Sequence, residues 1–197
     1  MRSIEKAIVL MVALVAVFAC DTAGADTAAE EAAELLKSTG VRGGLVVHLG
    51  CGDGRLTAAL RAGDEYLVQG LEADGENVAE ARGNIRSQGL YGPVSVQHWD
   101  KDFLPYTDNL VRLLVAEDAG GISRSEMMRV LAPGGVACVR DGAEWKKAAN
   151  PWPDAIDEWS HFLHDASGNA VAEDSRVGPP RHMQWMAKPL YCRSHEI

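Results

Sequence analysis

The sequence predicts an α/β protein built on a doubly wound parallel sheet of about five strands, in the order 3-2-1-4-5. Two observations predict this fold class. From about residue 28 to residue 140, apolar and β-branched runs alternate with helix-like segments, as in chains whose parallel strands are joined by helices. Several of these runs are apolar almost throughout, which is typical of strands that are covered on both faces.

The first predicted strand, residues 46–49, is followed by a loop with glycine at every second position. The candidate binding residues here are His48, near the end of the strand, and the loop residues Gly50, Cys51, Gly52, Asp53 and Gly54. Glycine lets the backbone turn sharply and approach a ligand without a Cβ in the way. A helix that starts directly after such a loop points free N–H groups toward that ligand. The loop therefore predicts a ligand site, although a tight strand-to-helix turn also needs glycine for its own sake.

Acidic residues follow the next three predicted strands. Glu72, Asp100 and Glu117 each come at or just after the end of an apolar run. Glu72 lies about 20 residues beyond the glycine loop, where a doubly wound fold places an acid against ribose hydroxyls. Because the carboxyl ends of parallel strands share one edge, we expect all three carboxylates to lie near the glycine loop. The alternative for Glu72 is a solvated loop carboxylate.

Besides the helix after the glycine loop, three further helices are predicted around these strands. An Ala- and Glu-rich segment from Asp26 to Thr39 has an amphipathic pattern, and a second helix is predicted from Asn77 to Gln88. A third helix is predicted to start at Ser123, whose spacing to Glu126 is that of a capping box. The segment Pro133–Gly135 is expected to end that helix before the last strand.

These motifs resemble those of class I S-adenosylmethionine-dependent methyltransferases. The segment from His48 to Gly54 is similar to the first motif of that family, and Leu131 to Gly135 is similar to its turn before the fifth strand. Dehydrogenases usually show G-x-G-x-x-G, so the glycine spacing here favours a methyl donor over a dinucleotide. The resemblance covers about Ala28 to Arg140. It implies a Rossmann-like methyltransferase core, with S-adenosylmethionine as the cofactor and transfer of its methyl group to an unidentified acceptor as the function. No comparable alternation follows Arg140, so the sheet is expected to be incomplete at its C-terminal edge.

The resemblance also implies roles for individual residues. The three glycines would pass under the methionine part of the cofactor, Glu72 would hold the ribose hydroxyls, and Asp100 would lie beside the adenine amino group. The family usually has an acidic residue where this chain has His48, so His48 is either a ligand contact or a satisfied histidine at a strand end. The predicted cofactor-binding residues are His48, Gly50, Cys51, Gly52, Asp53, Gly54, Glu72, Asp100 and Glu117. Cys51 is interpreted as a small residue that fills space in the loop rather than as a nucleophile. No catalytic residue is assigned.

The N-terminus predicts export. Basic residues precede an apolar run from Ala7 to Ala19, which is short for a bilayer span but typical of a secretory signal. Small residues at 23–25 suit cleavage, so residues 1–25 are predicted to be a signal peptide and the protein to be periplasmic. A lipobox-like sequence around Cys20 offers lipid anchoring as an alternative. A buried N-terminal helix is a third interpretation.

Composition narrows the expected partners. The net charge of −9 argues against nucleic acid and anionic membrane surfaces, so a small-molecule ligand is expected. Membrane contact is expected only through a lipid on Cys20, and the oligomeric state stays open. The four cysteines have neither metal-site nor disulfide-scaffold spacing. His161 and His164 could share a helical face, but no third ligand is assigned, so no metal is predicted.

The tail differs in character from the domain predicted over residues 26–140. Proline and glycine interrupt its apolar runs, so we expect little regular structure in it. Segments at 157–161, 168–171 and 177–180, together with 184–185, are similar to the lead-in of exported bacterial quinoprotein-like (PQQ-type) β-propeller proteins, in which a methyltransferase-like domain precedes the propeller. This resemblance implies a linker and the truncated start of a propeller-type domain over 141–197. It also implies an alternative function, a non-catalytic module of such a quinoprotein.

Overall fold

Six strands form one sheet between residues 44 and 149. The computed structural model describes residues 27–158, 160–169 and 171–175. The strands are Gly44–Leu49 (β1), Tyr66–Glu72 (β2), Val94–His98 (β3), Val111–Ala116 (β4), Leu131–Asp141 (β5) and Glu144–Ala149 (β6). Their order is β3-β2-β1-β4-β5-β6, and every pair is parallel except β5 with β6. The predicted doubly wound parallel sheet and the order of its first five strands are confirmed.

Helices cover both faces of the sheet. They are 27–39 (α1), Arg55–Ala59 (α2), Gly75–Ser87 (α3) and Arg124–Val130 (α4). On one face, Leu35 of α1, Leu56 of α2 and Ile85 of α3 belong to a single buried cluster that also includes apolar residues of the strands. On the other face, Met127 and Val130 of α4 belong to a second buried cluster. Removing these side chains from water is the main favourable term that holds the helices against the sheet.

The start of α4 follows its sequence signal in part. The Ser123 hydroxyl accepts a hydrogen bond from the Glu126 amide at 3.2 Å, as an N-cap does. The Glu126 carboxylate does not complete a capping box with Ser123. It accepts the amide of Leu104 at 2.7 Å and pairs with Arg129 instead, which ties the segment after β3 to α4.

β5 begins earlier than predicted. Leu131 pairs with Val111 of β4, and the register then shifts before Leu113 pairs with Val136. The segment Pro133–Gly135 therefore lies inside β5 at an irregularity in the ladder, not in a turn before it. The expectation that this segment separates helix from strand was wrong, because α4 already ends at Val130.

β6 extends the sheet beyond the predicted boundary at residue 140. It pairs antiparallel with β5: Glu144 lies opposite Asp141 at one end of the ladder, and Ala149 lies opposite Val136 at the other. The expectation that residues 141–197 are a tail with little regular structure was therefore wrong for residues 141–149. Trp145 is the large side chain of this strand, and the Arg140 guanidinium stacks over its ring at 4.5 Å.

The chain divides into two compact units, Met1–Pro151 and Trp152–Ile197. The described part of the second unit contains an isolated bridge between His161 and His164 but no helix or strand, in line with the sequence. His164 Nε2 lies 2.5 Å from the Asp157 carboxylate, which also accepts the Glu173 amide at 2.7 Å.

The predicted signal peptide, possible membrane-spanning helices and possible metal sites were compared with the described residues. The signal peptide over 1–25 and the lipid site at Cys20 lie outside the described residues. Within the part of the chain that the structure describes, no helix is both long and apolar enough to cross a membrane. The same residues contain no group of three or more His, Cys, Asp or Glu side chains arranged to hold a metal ion.

Candidate functional site

The glycine loop joins β1 to α2 at the carboxyl edge of the sheet. Gly50 has a φ of +67°, and a Cβ there would lie 3.0 Å from the Asp118 amide nitrogen. Gly54 has a φ of +78°, and a Cβ there would lie 2.7 Å from the Cβ of Ala81 in α3. At Gly52 no described atom lies within 4 Å of the Cβ position. Packing therefore accounts for the outer two glycines, whereas Gly52 leaves open space through which a ligand can approach the backbone.

Glu72 is joined directly to this loop. One carboxylate oxygen accepts the Gly52 amide at 2.8 Å, and the other accepts the Asp74 amide at 3.1 Å. The residue is only 8% exposed, so the alternative of a solvated loop carboxylate does not describe it. A buried carboxylate needs such donors, because an unpaired charge away from water is costly. Each oxygen still has lone-pair capacity, so Glu72 can accept hydrogen bonds from ligand hydroxyls as well.

A cleft of about 150 Å³ opens beside the loop. Its walls include Gly50 and Glu72 on one side, Trp99 and Asp100 after β3, and Asp118 after β4. Sites that enclose a whole drug-sized ligand usually measure about 300–1,000 Å³. The cleft would therefore hold one end of a ligand, and the remainder would lie across the half-buried glycine loop.

The β3 side of the cleft combines a carboxylate with an aromatic wall. Asp100 lies 3.0 Å from the Lys101 ammonium, and the hydrogen bond from Lys101 lowers the pKa of the Asp100 carboxyl. The Trp99 indole N–H donates to the Phe103 carbonyl at 2.6 Å, and the two rings meet edge to face with centroids 5.3 Å apart. Trp99 was not among the predicted site residues. Its position directly after a predicted strand, beside Asp100, was the signal that could have identified it.

His48 lies behind the loop and not in the cleft. Its ring is fully buried, with Nδ1 2.8 Å from the Thr57 hydroxyl of α2. Nε2 lies 3.4 Å from a carboxylate oxygen of Glu117, which is longer than an ordinary hydrogen bond. The contact is nevertheless close enough for the His48 ring to hold the pKa of the Glu117 carboxyl below its usual value. The ring is therefore anchored within the fold through Nδ1, whereas Nε2 has no hydrogen-bond partner at normal distance among the described residues.

Cys51 and Asp53 belong to the glycine loop, and their contacts fix its conformation. Cys51 is buried, and a Cβ on Gly70 would lie 2.9 Å from its sulfur. Burial raises the pKa of the Cys51 thiol to about 12, so the thiol stays protonated and is a poor nucleophile at neutral pH. The Asp53 carboxylate accepts the Arg55 amide at 2.9 Å, and the Asp53 carbonyl accepts the Asn84 side-chain amide at 2.8 Å. These contacts fix the path of the loop between β1 and α2.

Comparison with known proteins gives the domain its family context. Residues 46–135 match the family model described as a methyltransferase domain. Methyltransferase GfsG of Streptomyces halstedii is 32% identical over an alignment of 103 residues, which covers 49% of this chain and 37% of that protein. These matches support a methyltransferase domain with the class I fold.

Solved structures agree in fold. The 4+2 cyclase SpnF is 26% identical with a TM-score of 0.50, over 56% of this chain and 43% of that one. Geranyl diphosphate C-methyltransferase of Streptomyces coelicolor, solved with S-adenosyl-L-homocysteine, is 18% identical with a TM-score of 0.50, over 56% and 44%. At these identities the solved structures show a shared fold, in agreement with the sheet order found here. The chain spans 37% of its curated relative and about half of each solved structure at most.

Proposed function

We propose that the methyltransferase domain binds S-adenosylmethionine and transfers its methyl group to an acceptor not yet identified. The observation that carries the proposal is the Gly52–Glu72 pair at the carboxyl edge of β1 and β2. The amide of Gly52 holds a nearly buried carboxylate at the mouth of the loop, and the space above Gly52 is clear of described atoms. A carboxylate in this position suits vicinal ribose hydroxyls, which donate hydrogen bonds.

The remaining site residues fit the other parts of such a ligand. Trp99 offers an apolar wall and Asp100 a hydrogen-bond acceptor, which together suit the ring and the amino group of adenine. The outward path across the glycine loop leads toward the end of β4, where Glu117 follows Ala116. The four neighbouring strands β3, β2, β1 and β4 lie about 4.8 Å apart, so their ends span roughly 14 Å. An extended nucleoside carrying an amino-acid arm suits this row of groups.

The chemistry asked of the protein is mainly alignment. When bound, S-adenosylmethionine supplies a sulfonium whose S–CH₃ bond breaks as the lone pair of the acceptor bonds to the methyl carbon, leaving S-adenosylhomocysteine. The chain's own residues hold the donor in one orientation and keep the reacting atoms in line, which lowers the entropic part of the barrier. Glu72 and the loop would provide this restraint.

The titratable groups near the cleft are mostly committed to internal hydrogen bonds. His98 Nε2 lies 2.9 Å from the Ala73 carbonyl, and the Tyr106 hydroxyl donates to Gln69 at 3.0 Å. Burial also raises the pKa of Tyr106 above its usual value, which keeps that phenol protonated. These contacts favour structural roles for His98 and Tyr106. The proposal therefore assigns no general base, and it favours an acceptor that is nucleophilic without one.

Calorimetric titration of the full chain with S-adenosylmethionine and S-adenosylhomocysteine tests the proposal. Glu72→Gln keeps the size of the side chain but removes its charge, and it should weaken binding about 10-fold to 100-fold because hydrogen bonds to a charged group are lost. Glu76→Gln is the matched control, since Glu76 lies in the exposed first turn of α3. It should bind like the wild type.

The outcomes separate cleanly. Binding that depends on Glu72 but not on Glu76 supports the cofactor site, and release of labelled methyl groups to an acceptor would then establish turnover. No heat at millimolar ligand, from protein shown to be folded by circular dichroism, would contradict the proposed function. That result would instead favour the alternative of a non-catalytic methyltransferase-like module in an exported quinoprotein-like protein.

The proposal extends to the domain organisation and the cellular location of the protein. We propose a signal peptide over 1–25 that exports the protein to the periplasm. The alternative is cleavage directly before Cys20, which would make Cys20 the lipid-bearing first residue. We also propose that the unit from Trp152 onward leads into a propeller-type domain. The net charge of −9 supports a small-molecule ligand over nucleic acid. Mass spectrometry of the mature N-terminus, after expression in a Gram-negative host, distinguishes cleavage, lipidation and retention of the leader.

A further inference from the structure

His48 lies between Thr57 of α2 and Glu117 after β4. His48 lies on β1 opposite Gly70 of β2 and Val115 of β4, so it sits in the middle of the sheet just below the edge that carries the glycine loop. Thr57 on α2 and Glu117 after β4 contact its two ring nitrogens. The ring therefore links the helix behind the glycine loop to the carboxylate at the end of the adjacent strand.

The roles of the two ring nitrogens follow from their partners. Among the described residues, Nε2 has no hydrogen-bond partner at normal distance, and its neighbour is the Glu117 carboxylate, which only accepts. The arrangement that satisfies both ends places the proton on Nε2, pointing at Glu117, and lets the Thr57 hydroxyl donate to Nδ1. A small movement of Glu117 would convert the 3.4 Å contact into a full hydrogen bond.

Glu117 differs from the other carboxylates at this edge. Both oxygens of Glu72 accept backbone amides, Asp100 faces Lys101, and one oxygen of Asp118 accepts the Gly120 amide at 2.9 Å. Glu117 has 38% of its side chain exposed, and the contact at its buried side is the edge of a histidine ring. Arg140 acts on it only at a distance, since that guanidinium binds Glu31 at 2.7 Å.

We propose that Glu117 is the counter-ion for the ammonium group of the bound ligand, and that His48 is a positioning residue that aims the Glu117 carboxylate. The inference rests on the proposed function, which supplies a ligand with an amino-acid end. Its geometric basis is that Glu117 stands one strand beyond the glycine loop, on the side away from Glu72 and Asp100. A ligand held at its ribose by Glu72 and extended across Gly52 brings its amino-acid end to β4.

Two ligands separate the ammonium from the rest of the molecule. S-adenosylhomocysteine has the amino-acid arm on a neutral thioether, whereas 5′-methylthioadenosine keeps the nucleoside and the neutral thioether but lacks that arm. Titrations of the full chain should show that Glu117→Gln weakens S-adenosylhomocysteine binding about 10-fold and changes 5′-methylthioadenosine binding less than twofold. Glu80→Gln, which removes one negative charge from the exposed face of α3, controls for the general field and should affect neither ligand.

A double-mutant cycle tests the role of His48. His48→Gln should weaken S-adenosylhomocysteine binding about threefold to tenfold in the wild-type background, and it should have no further effect on the preference between the two ligands once Glu117→Gln is present. A merely structural histidine would change the affinity for both ligands together and in both backgrounds. Thermal unfolding of each variant checks that the folded population is the same at the titration temperature.

The results that overturn the inference are distinct from failure of the proposed function. If the wild type binds both ligands and Glu117→Gln weakens them equally or not at all, Glu117 is not the counter-ion. If Glu117→Gln discriminates but His48→Gln acts equally in both backgrounds, His48 does not position it. If the folded wild type binds neither ligand at millimolar concentration, the proposed function itself fails and the inference fails with it.

Discussion

Replacement of Gly54 by alanine should destabilise the domain more than replacement of Gly52, the glycine of the same loop that faces open space. The new Cβ would lie 2.7 Å from the Cβ of Ala81 and 3.0 Å from its Cα, at a φ of +78°. A non-glycine residue in the left-handed region costs about 1–2 kcal/mol, and overpacking against a helix costs about 1–3 kcal/mol more. The free energy of unfolding should therefore fall by about 2–5 kcal/mol.

Two glycines in the same part of the chain provide matched controls. Gly52→Ala meets the backbone cost alone, since no described atom lies within 4 Å of its Cβ position, and should cost about 1–2 kcal/mol. Gly75→Ala, at the first residue of α3 with the same open space, should be neutral or stabilising by about 0.4–1 kcal/mol. Urea titrations followed by circular dichroism at fixed pH measure all three.

The clash with α3 can be isolated from the backbone cost. Adding Ala81→Gly to Gly54→Ala removes the atom that the new Cβ would meet, so part of the lost stability should return although glycine is itself unfavourable within a helix. A Gly54→Ala protein no less stable than Gly52→Ala, or a double variant without any coupling, would refute the argument that the loop and α3 are in tight contact at this point.

Three further predictions follow from single contacts. Hydrogen bonds from Arg129 hold the pKa of Glu126 at about 2, so the wild type should lose about 1 kcal/mol more stability than Glu126→Gln as the pH falls from 5 to 2 in urea titrations; equal losses would contradict it. Burial raises the pKa of Cys51 to about 12, so mass spectrometry should find this thiol unmodified by iodoacetamide in the folded protein at pH 8 and modified in urea. Asp157→Asn weakens the bond to His164, so limited proteolysis should cut residues 157–175 several-fold faster, with the sheet domain unchanged.

Local patterns in the sequence were sufficient to predict the central sheet. Buried strands such as β1 and β4 are runs of apolar residues long enough to identify alone, and Ser123 marks the start of α4 by its hydrogen-bonding capacity. The link between the glycine loop and Glu72 could also be anticipated, because about 20 residues of strand, loop and helix return the chain to the same edge.

Features that depend on pairing between distant residues could not be predicted in the same way. β6 has an exposed, lysine-containing sequence, and it is ordered by the β5 ladder and by Trp145, whose indole donates to Glu31 at 3.0 Å. Likewise, the residue type of His48 was noted from the sequence, but its contact with Glu117 depends on the register between β1 and β4. The sequence contains no local signal for either contact.

The hydrogen bond between Glu72 and the Gly52 amide has a consequence for the energetics of binding. A carboxylate already fixed by two backbone amides loses little rotamer freedom when a ligand arrives, and the loop that it holds does not have to be ordered at that moment. The entropic cost of association is thereby reduced before the ligand is present. The loop is therefore ordered before the ligand binds. The part of the site that can adapt to the ligand consists of the exposed side chains after β3 and β4.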